Sequence, residues 1–244
     1  GRIHDDKQAR FALGQAKQSG ARSMNIDLMH GLPEQSLDNA LQDLNDAIDQ
    51  QPEHLSWYQL TIEPNTPFYS RPPELPNDDI LWDIQNAGHA RLQAAGYEQY
   101  EISGYSKPGY QCRHNLNYWR FGDYLGIGCG AHGKITDADS GTITRTVKVK
   151  HPRGYMTLGR EYLDSAQLVE SDDVAFEFFM NRFRLVEPCP KADFEAFTGT
   201  TLTIAQQMEL NKAVEQGLLL ESERHWQVTA QGRRYLNSLL SAFV

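Results

Sequence analysis

The first part of the sequence alternates short apolar runs with amphipathic helical patterns, and this alternation constrains the fold more than any other feature. Residues 24–32 and 55–64 are predicted to be strands. Between them, Ser36 is placed to cap a helix in which leucine and isoleucine recur at helical spacing. Strands that alternate with helices are typical of βα units and a parallel sheet. The sequence therefore predicts an α/β protein.

Two further strands complete the predicted sheet. One is expected at 97–105, after a helix that starts at Asp78 and ends at Gly96, and a short one with a glycine-rich end is expected at 124–133. Three or four parallel strands are too few for a closed eight-stranded barrel, which needs about 250 residues. We therefore expect a partial (βα) barrel in 1–145.

The character of the chain changes after this region. Residues 172–188 predict a strongly apolar helix, and 203–240 predict the order helix, strand, turn, strand, helix, which is typical of a winged helix. We therefore interpret 146–170 as a linker and 171–244 as a helical, winged-helix-like C-terminal domain.

The charge of the chain argues against nucleic acid as a partner. The net charge is −9 over 244 residues, and 201–244 holds four basic and four acidic residues. Nucleic-acid binding depends on clustered lysine and arginine, so a DNA-binding winged helix is disfavoured. The sequence also has no apolar run of the length that a bilayer span requires. We expect a cytoplasmic protein.

The three cysteines do not form a recognisable metal motif. Cys112, Cys129 and Cys189 are far apart in the sequence, and no C-x-x-C pair is present. A zinc site or a four-cysteine iron–sulfur site cannot be built from these residues alone. Because free cysteine is commonly buried, we interpret all three as small buried hydrophobic side chains.

Residues at the carboxyl ends of βα strands are the first candidates for ligand contacts. Asp27 lies inside an apolar strand, where an unpaired carboxylate is costly, so it should meet an ion-pair partner or a ligand. The cluster at Thr61, Glu63 and Asn65 is more typical of a solvated loop. The glycines of 126–133 would let a ligand approach the backbone, although this signal is weak.

The stretch RHNLNYW at 113–119 allows two interpretations. The imidazole of His114 can bind haem iron, and Tyr118 and Trp119 offer faces on which a porphyrin can stack. The same residues can instead form a packed aromatic corner, since tyrosine and tryptophan commonly fill cores. The local residues favour the packed corner, and spacing alone does not decide.

Taken together, these segments resemble the C-terminal part of HemN-related radical SAM proteins, and most closely their HemW branch of haem chaperones. The resemblance is carried by N-I-D-L-M-H-G-L-P at 25–33, by G-I-G-C-G-A-H-G at 126–133 and by the winged-helix-like region. Its most specific stretch is 101–119, which contains H-N-x-x-Y-W, a motif that marks the HemW branch.

The family resemblance implies a partial βα barrel that holds a [4Fe-4S] cluster and S-adenosylmethionine, followed by a HemN C-terminal domain. It implies that His114 is a haem ligand, with Tyr118 and Trp119 lining the site. By position, it also implies S-adenosylmethionine contacts at Arg2, Asp27, Thr61 and His132.

The sequence departs from the family at the cluster, because the C-x-x-x-C-x-x-C motif is missing and the chain resembles a fragment. We therefore expect no cluster binding and no catalysis by this chain itself. The resemblance implies a haem chaperone that inserts haem into respiratory apoproteins, in the cytoplasm or peripherally at the inner membrane. The alternative is an oxygen-independent coproporphyrinogen III oxidase.

Overall fold

The computed structural model describes residues 5–157, 159 and 161–243. The boundary between two compact units falls between Cys112 and Arg113. It lies earlier than the boundary that we expect near residue 145. The physical reason is a shared core, since Phe121 and Ile143 are buried in the same apolar cluster as Phe178 of the C-terminal region.

The first unit is a four-stranded sheet covered by helices. Strand order is β1-β2-β4-β3, and its register pairs Asp27 with Ser56 and His30 with Gln59. The elements are α1 Asp6–Gln18, β1 Asn25–His30, α2 Leu37–Asp49, β2 His54–Gln59, α3 Pro67–Ser70, α4 Asp78–Ala94, β3 Glu98–Gln99 and β4 Gly104–Ser106.

Local sequence signals set the helix starts of this unit. Ser36 caps α2 and forms a capping box with Asn39, so the predicted start of this helix is confirmed. At the start of α4, the side chain of Asn77 accepts a hydrogen bond from the backbone N–H of Ile80. The carboxylate of Asp78 in the first turn interacts favourably with the helix dipole. Both helices of the predicted βα pattern are therefore present.

One face of the sheet is apolar and packs on α2 and α4. Ile26, Leu55 and Trp57 are buried there with Leu44 and Ile84. Successive residues of a strand point to opposite faces, so the residues between them lie on the other face. The strand predicted at 24–32 is therefore present as β1, and it is buried on one side.

The expectation of three or four parallel strands is wrong. Only the β1–β2 pair of this sheet is parallel among the described residues, and β4 pairs antiparallel with both β2 and β3. Predicted strand 97–105 is broken in its middle, where the buried Glu101 carboxylate accepts from the backbone of Ser103 at 3.2 Å. A Cβ at Gly104 would overlap that carboxylate, so the turn requires glycine there.

The second unit contains two three-stranded antiparallel sheets in its described residues, with orders β5-β6-β7 and β8-β10-β9. The elements are α5 Arg113–Trp119, β5 His132–Thr136, β6 Ile143–Lys148, α6 Pro152–Tyr155, β7 Leu163–Leu168, α7 Val174–Arg182, β8 Cys189–Pro190, α8 Lys191–Thr198, α9 Ile204–Glu215, β9 Leu219–Glu221, β10 His225–Val228, α10 Ala230–Arg234, α11 Leu236–Leu240 and a 3₁₀ turn Ser241–Phe243.

Two segments of this unit differ from expectation. Apart from a β-bridge between Tyr124 and Lys134, residues 124–131 form a loop that precedes β5, whereas the sequence predicts a strand that ends in glycine. The stretch 146–170, interpreted as a linker, contains the end of β6 and all of β7. Apolar and polar residues alternate only weakly in these short strands, so the sequence does not reveal them. Antiparallel pairing with neighbouring strands stabilises them.

The winged-helix pattern is confirmed at the C-terminus. Helix α9 is followed by the β9–β10 hairpin, in which Trp226 pairs with Glu221. Trp226 is buried against Phe179 of α7, with ring centroids 5.7 Å apart. In the described part of the chain, no helix is both long and apolar enough to cross a bilayer.

Replacing Gly88 tests the packing of the first unit. A Cβ at Gly88 in α4 would overlap the ring of Trp57, whereas a Cβ at Gly14 in α1 meets nothing within 4 Å. We expect Gly88→Ala to lower the free energy of unfolding by about 1–3 kcal/mol through overpacking. Gly14→Ala should raise it by up to about 1 kcal/mol, since alanine favours helix. Urea denaturation measures both, and equal effects of the two substitutions would contradict the packing.

His30 should make the first unit sensitive to acid. It is 4% exposed and lies on Trp57, with ring centroids 4.2 Å apart. Burial, with a smaller contribution from His89, lowers the pKa of His30 to about 4. The unfolded chain therefore binds a proton more readily than the folded chain between the ordinary pKa and 4. The neutral His30 contributes fully to the free energy of unfolding above about pH 6.5. This contribution falls by roughly 3 kcal/mol as the pH drops through 4.

Urea unfolding at pH 7 and pH 5 checks this. His30→Phe should reduce the loss of stability between the two pH values, while His225→Gln, at an exposed histidine, should leave the loss as it is in the unsubstituted chain. A His30→Phe variant with an unchanged pH dependence would contradict the assignment to His30.

Candidate functional site

The RHNLNYW stretch forms α5, the first helix of the second unit. His114 and Tyr118 are four residues apart and therefore share one side of the helix. His114 is exposed, whereas Tyr118 and Trp119 are half-buried. The structure thus brings the three predicted haem-site residues together on one short helix, with the histidine toward solvent.

Aromatic contacts fix the end of α5. The Tyr118 ring lies edge-on to Trp119 at 4.8 Å and contacts the Tyr124 ring at 5.2 Å. The amide of Asn181 in α7 donates to the backbone oxygen of Tyr118 at 3.3 Å. The two aromatic residues are therefore part of a packed corner, as local sequence favours, and that corner carries an exposed imidazole one turn earlier.

Tyr124 extends this corner toward charged residues. Its hydroxyl accepts from Nη1 of Arg145 at 3.1 Å, and Arg145 pairs with Glu177. Burial raises the pKa of Tyr124, and the neighbouring Tyr118 raises it further. Tyr124 is consequently a neutral phenol that holds the Tyr118 ring in place.

A buried lysine ties the turn after α5 to the sheet. The ammonium of Lys134 in β5 donates to the backbone oxygen of Phe121 at 3.0 Å and to Asp123 at 2.8 Å. Phe121 has a φ of 65°, which is unusual for a bulky residue. Burial lowers the pKa of Lys134, although Asp123 opposes this shift. The strained turn is thus stabilised by a charge that is only 1% exposed.

Sequence reasoning missed one cation next to this corner. The guanidinium carbon of Arg184 lies 5.3 Å from the centre of the Trp119 ring, within the range of a cation–π interaction. Arg184 follows α7 and is distant from α5 in the sequence. No local pattern could have linked the two residues.

In the first unit, Asp27 is exposed and lies on the open face of β1. The sequence predicts an ion-pair partner or a ligand for Asp27 because it treats the strand as apolar around it, but the strand is buried on the opposite face, so the carboxylate stays in solvent. The Asp27 carboxylate instead accepts from the amide of Asn25 at 2.7 Å. This leaves a carboxylate that is oriented by the protein and accessible to a ligand.

A hydrogen-bond chain leads away from Asp27. Because the Asn25 amide nitrogen donates to Asp27, its oxygen faces His54 Nδ1 at 2.7 Å and Ser56 Oγ at 3.2 Å. His54 therefore donates through Nδ1 and accepts through Nε2 from the Tyr100 hydroxyl at 2.7 Å. Burial lowers the pKa of His54, and Asp27 opposes this shift. The neutral imidazole thus holds Asn25, and Asn25 holds Asp27.

The remaining predicted S-adenosylmethionine contacts are not brought together with Asp27 by any described interaction. Thr61 is exposed beyond the end of β2 and donates to Glu63 at 3.0 Å. His132 is the exposed first residue of β5 and belongs to the second unit. Arg2 lies outside the described residues.

The described cysteines do not fit an iron–sulfur cluster. Cys112 is half-buried in the first unit, while Cys129 is exposed and Cys189 is buried in the second. Burial raises the pKa of Cys189 to about 11, although Arg182 opposes the shift, so this thiol stays protonated. Among residues 5–157, 159 and 161–243, no group of three or more histidine, cysteine or acidic residues could hold a metal ion.

Two cavities of the second unit lie away from the predicted haem-site residues. One of about 420 Å³ lies between α9 and the C-terminal helices. A second of about 270 Å³ follows the side of α5 that carries Arg113, Leu116 and Arg120, and Phe197 closes it. His114, Tyr118 and Trp119 line neither of these two cavities.

Comparison with known proteins gives the relatives of the chain. The family model of the HemN C-terminal domain matches 169–235. The whole chain is 59% identical to the protein named haem chaperone HemW of Escherichia coli (strain K12), of which it covers 64%. It is 55% identical to the HemW of Haemophilus influenzae and 31% identical to that of Bacillus subtilis, covering 63% and 65% of them. The chain therefore spans a little less than two thirds of these relatives.

A solved structure supports the fold class. It is titled as the coproporphyrinogen III oxidase HemN from Escherichia coli, a radical SAM enzyme, and it matches 98% of this chain and 59% of its own chain with a TM-score of 0.77. The identity is 20%, so the likeness shows the fold alone. This likeness confirms the predicted α/β class and partial barrel as a fold, and the family model confirms the predicted HemN C-terminal region at 169–235.

Tyr100→Phe tests the hydrogen-bond chain behind Asp27. The substitution removes the hydroxyl that donates to His54 and accepts from the backbone of Cys112. We expect the free energy of unfolding to fall by about 0.5–1.5 kcal/mol, because a buried acceptor loses its partner. Tyr110→Phe, at an exposed tyrosine, is the control and should change stability little. Chemical denaturation at pH 7 measures both, and equal values would contradict the role of Tyr100.

Proposed function

Because this chain is a relative of the HemW proteins along its whole length, we propose that it binds haem as cargo and acts in haem delivery to respiratory apoproteins. The observation that carries this proposal is the exposed His114 on α5, beside Tyr118 and Trp119. The names of the full-length relatives favour a haem chaperone over the alternative, an oxygen-independent coproporphyrinogen III oxidase.

The chemistry of His114 suits an iron ligand. In the described part of the chain its imidazole makes no hydrogen bond, so either ring nitrogen is open to a ligand. A neutral imidazole binds haem iron in many proteins. Exposure also suits a chaperone, because a cargo that must be released cannot be enclosed in a core.

The aromatic corner supplies the apolar part of the site. The rings of Tyr118 and Trp119 pack edge-to-face on each other, Tyr124 contacts the Tyr118 ring, and Asn181 donates to the Tyr118 backbone. The two rings are therefore ordered before a ligand arrives. Rings that are already ordered lose little conformational entropy when a flat porphyrin packs on them. In this proposal, Tyr118 and Trp119 position haem and His114 binds its iron.

S-adenosylmethionine is a second ligand of this proposal. The Asp27 carboxylate is open and oriented by Asn25, and it would accept hydrogen bonds from a hydroxyl or an ammonium of the cofactor. Arg2, Thr61 and His132 are the further proposed contacts. Reductive cleavage of the cofactor requires a [4Fe-4S] cluster, and the described cysteines do not fit one. We therefore expect binding of S-adenosylmethionine without its cleavage by this chain.

The proposed setting follows from the cargo. Haem taken up in the cytoplasm must reach apoproteins of the respiratory chain, so we place the protein in the cytoplasm with peripheral contact at the inner membrane. Nucleic acid is not proposed as a partner, because the winged-helix region 201–244 has balanced charges.

His114→Ala tests the proposed function. Haem is titrated into the unsubstituted chain and the variant while the Soret band is followed. We expect the unsubstituted chain to bind with a shifted Soret band and the variant to lose at least tenfold in affinity, because the iron loses its ligand. His225→Ala, at an exposed histidine of the same unit, is the matched control and should bind as the unsubstituted chain does. Equal spectra and affinities for His114→Ala would reject His114 as the ligand.

A further inference from the structure

Two arginines near α5 are paired with carboxylates, whereas the exposed Arg113 at the start of the helix has no such pair among the described residues. Arg120 pairs with Glu187 at 2.7 Å. The fully buried Arg182 pairs with Glu187 and Asp193. This pairing is expected, because a buried or half-buried charge is costly without a counterion. The chain is acidic, so carboxylates are abundant for this purpose.

Arg184 differs from Arg120 and Arg182. It is half-buried, and its Nε donates to the backbone oxygen of Met180 at 3.2 Å. Its guanidinium lies over the Trp119 ring at 5.3 Å. Within the described residues no carboxylate lies at ion-pair distance from it. A half-buried cation thus has an aromatic ring and one backbone oxygen as its partners, and no anion.

The geometry leaves the anion-binding part of Arg184 available. A guanidinium donates hydrogen bonds in its own plane, so contact of its face with an aromatic ring does not use its donors. The Nε group is engaged with Met180, and the Nη groups have no described partner. Two Nη donors in a fixed plane match the two oxygens of a carboxylate.

We propose that Arg184 binds a carboxylate of the ligand, namely a haem propionate. This inference rests on the proposed function and adds a residue to that site. His114 and Trp119 are five residues apart on α5, which is roughly 7.5 Å along the helix axis. Trp119 is also about 140° further round the helix than His114, so in this proposal a propionate extends past Tyr118 to reach the cation at Trp119.

The experiment compares haem with haem dimethyl ester, in which both propionates are capped. Both are titrated into the unsubstituted chain and into Arg184→Gln. We expect Arg184→Gln to weaken haem binding roughly ten- to a hundredfold, the value of a lost charge-assisted hydrogen bond. The ester should bind the two proteins equally, since it offers no carboxylate to lose.

Two further variants keep this test decisive. Arg184→Lys retains the charge without the planar pair of donors, so its haem affinity should be intermediate. Arg224→Gln makes the same charge change at an exposed arginine of the β9–β10 turn and should bind haem as the unsubstituted chain does. Urea unfolding of each variant confirms that it is folded at the titration conditions.

The outcomes separate this inference from the function on which it rests. Equal loss of haem and ester in Arg184→Gln would overturn it, because Arg184 would then act by supporting Trp119. Unchanged haem affinity in Arg184→Gln, with binding still lost in His114→Ala, would overturn the role of Arg184 and leave the proposed function standing. An unsubstituted chain that binds neither porphyrin overturns both.

Discussion

The constraint on which the sites of this protein depend is the two-residue period of its strands. In β1 and β2, one face buries Ile26, Leu55 and Trp57 against helices, and this burial stabilises the sheet. The other face is thereby free to carry polar residues. Asp27 is accessible because its neighbours on the buried face stabilise the strand, and its orientation comes from Asn25 on the same face.

In the second unit, helix α5 has only seven residues and is too short to be stable alone. Helix α5 is stabilised at its end by other elements. Asn181 binds the Tyr118 backbone, Arg184 lies on Trp119, and Lys134 binds the turn that follows. Because these contacts cluster at the C-terminal end, the exposed His114 near the other end is open to a ligand.

The errors of sequence reasoning have a common cause. The sequence predicts helices α2 and α4 correctly, because their caps and periodicity are local signals. It does not predict strand direction, because β4 is antiparallel to β2 through a turn set by the buried Glu101. Such a turn depends on partners in space, and short strands carry little periodicity of their own.

The sequence by itself determined the α/β class, the helix starts, the winged-helix order and the grouping of His114, Tyr118 and Trp119 on one segment. These depend on spacing along the chain, which the sequence contains in full. Only the tertiary structure decided that His114 is exposed, that Asp27 lies on an open face, and that Arg184 meets Trp119. Exposure and contacts between distant residues follow from which side chains pack together, and packing is a property of the folded chain.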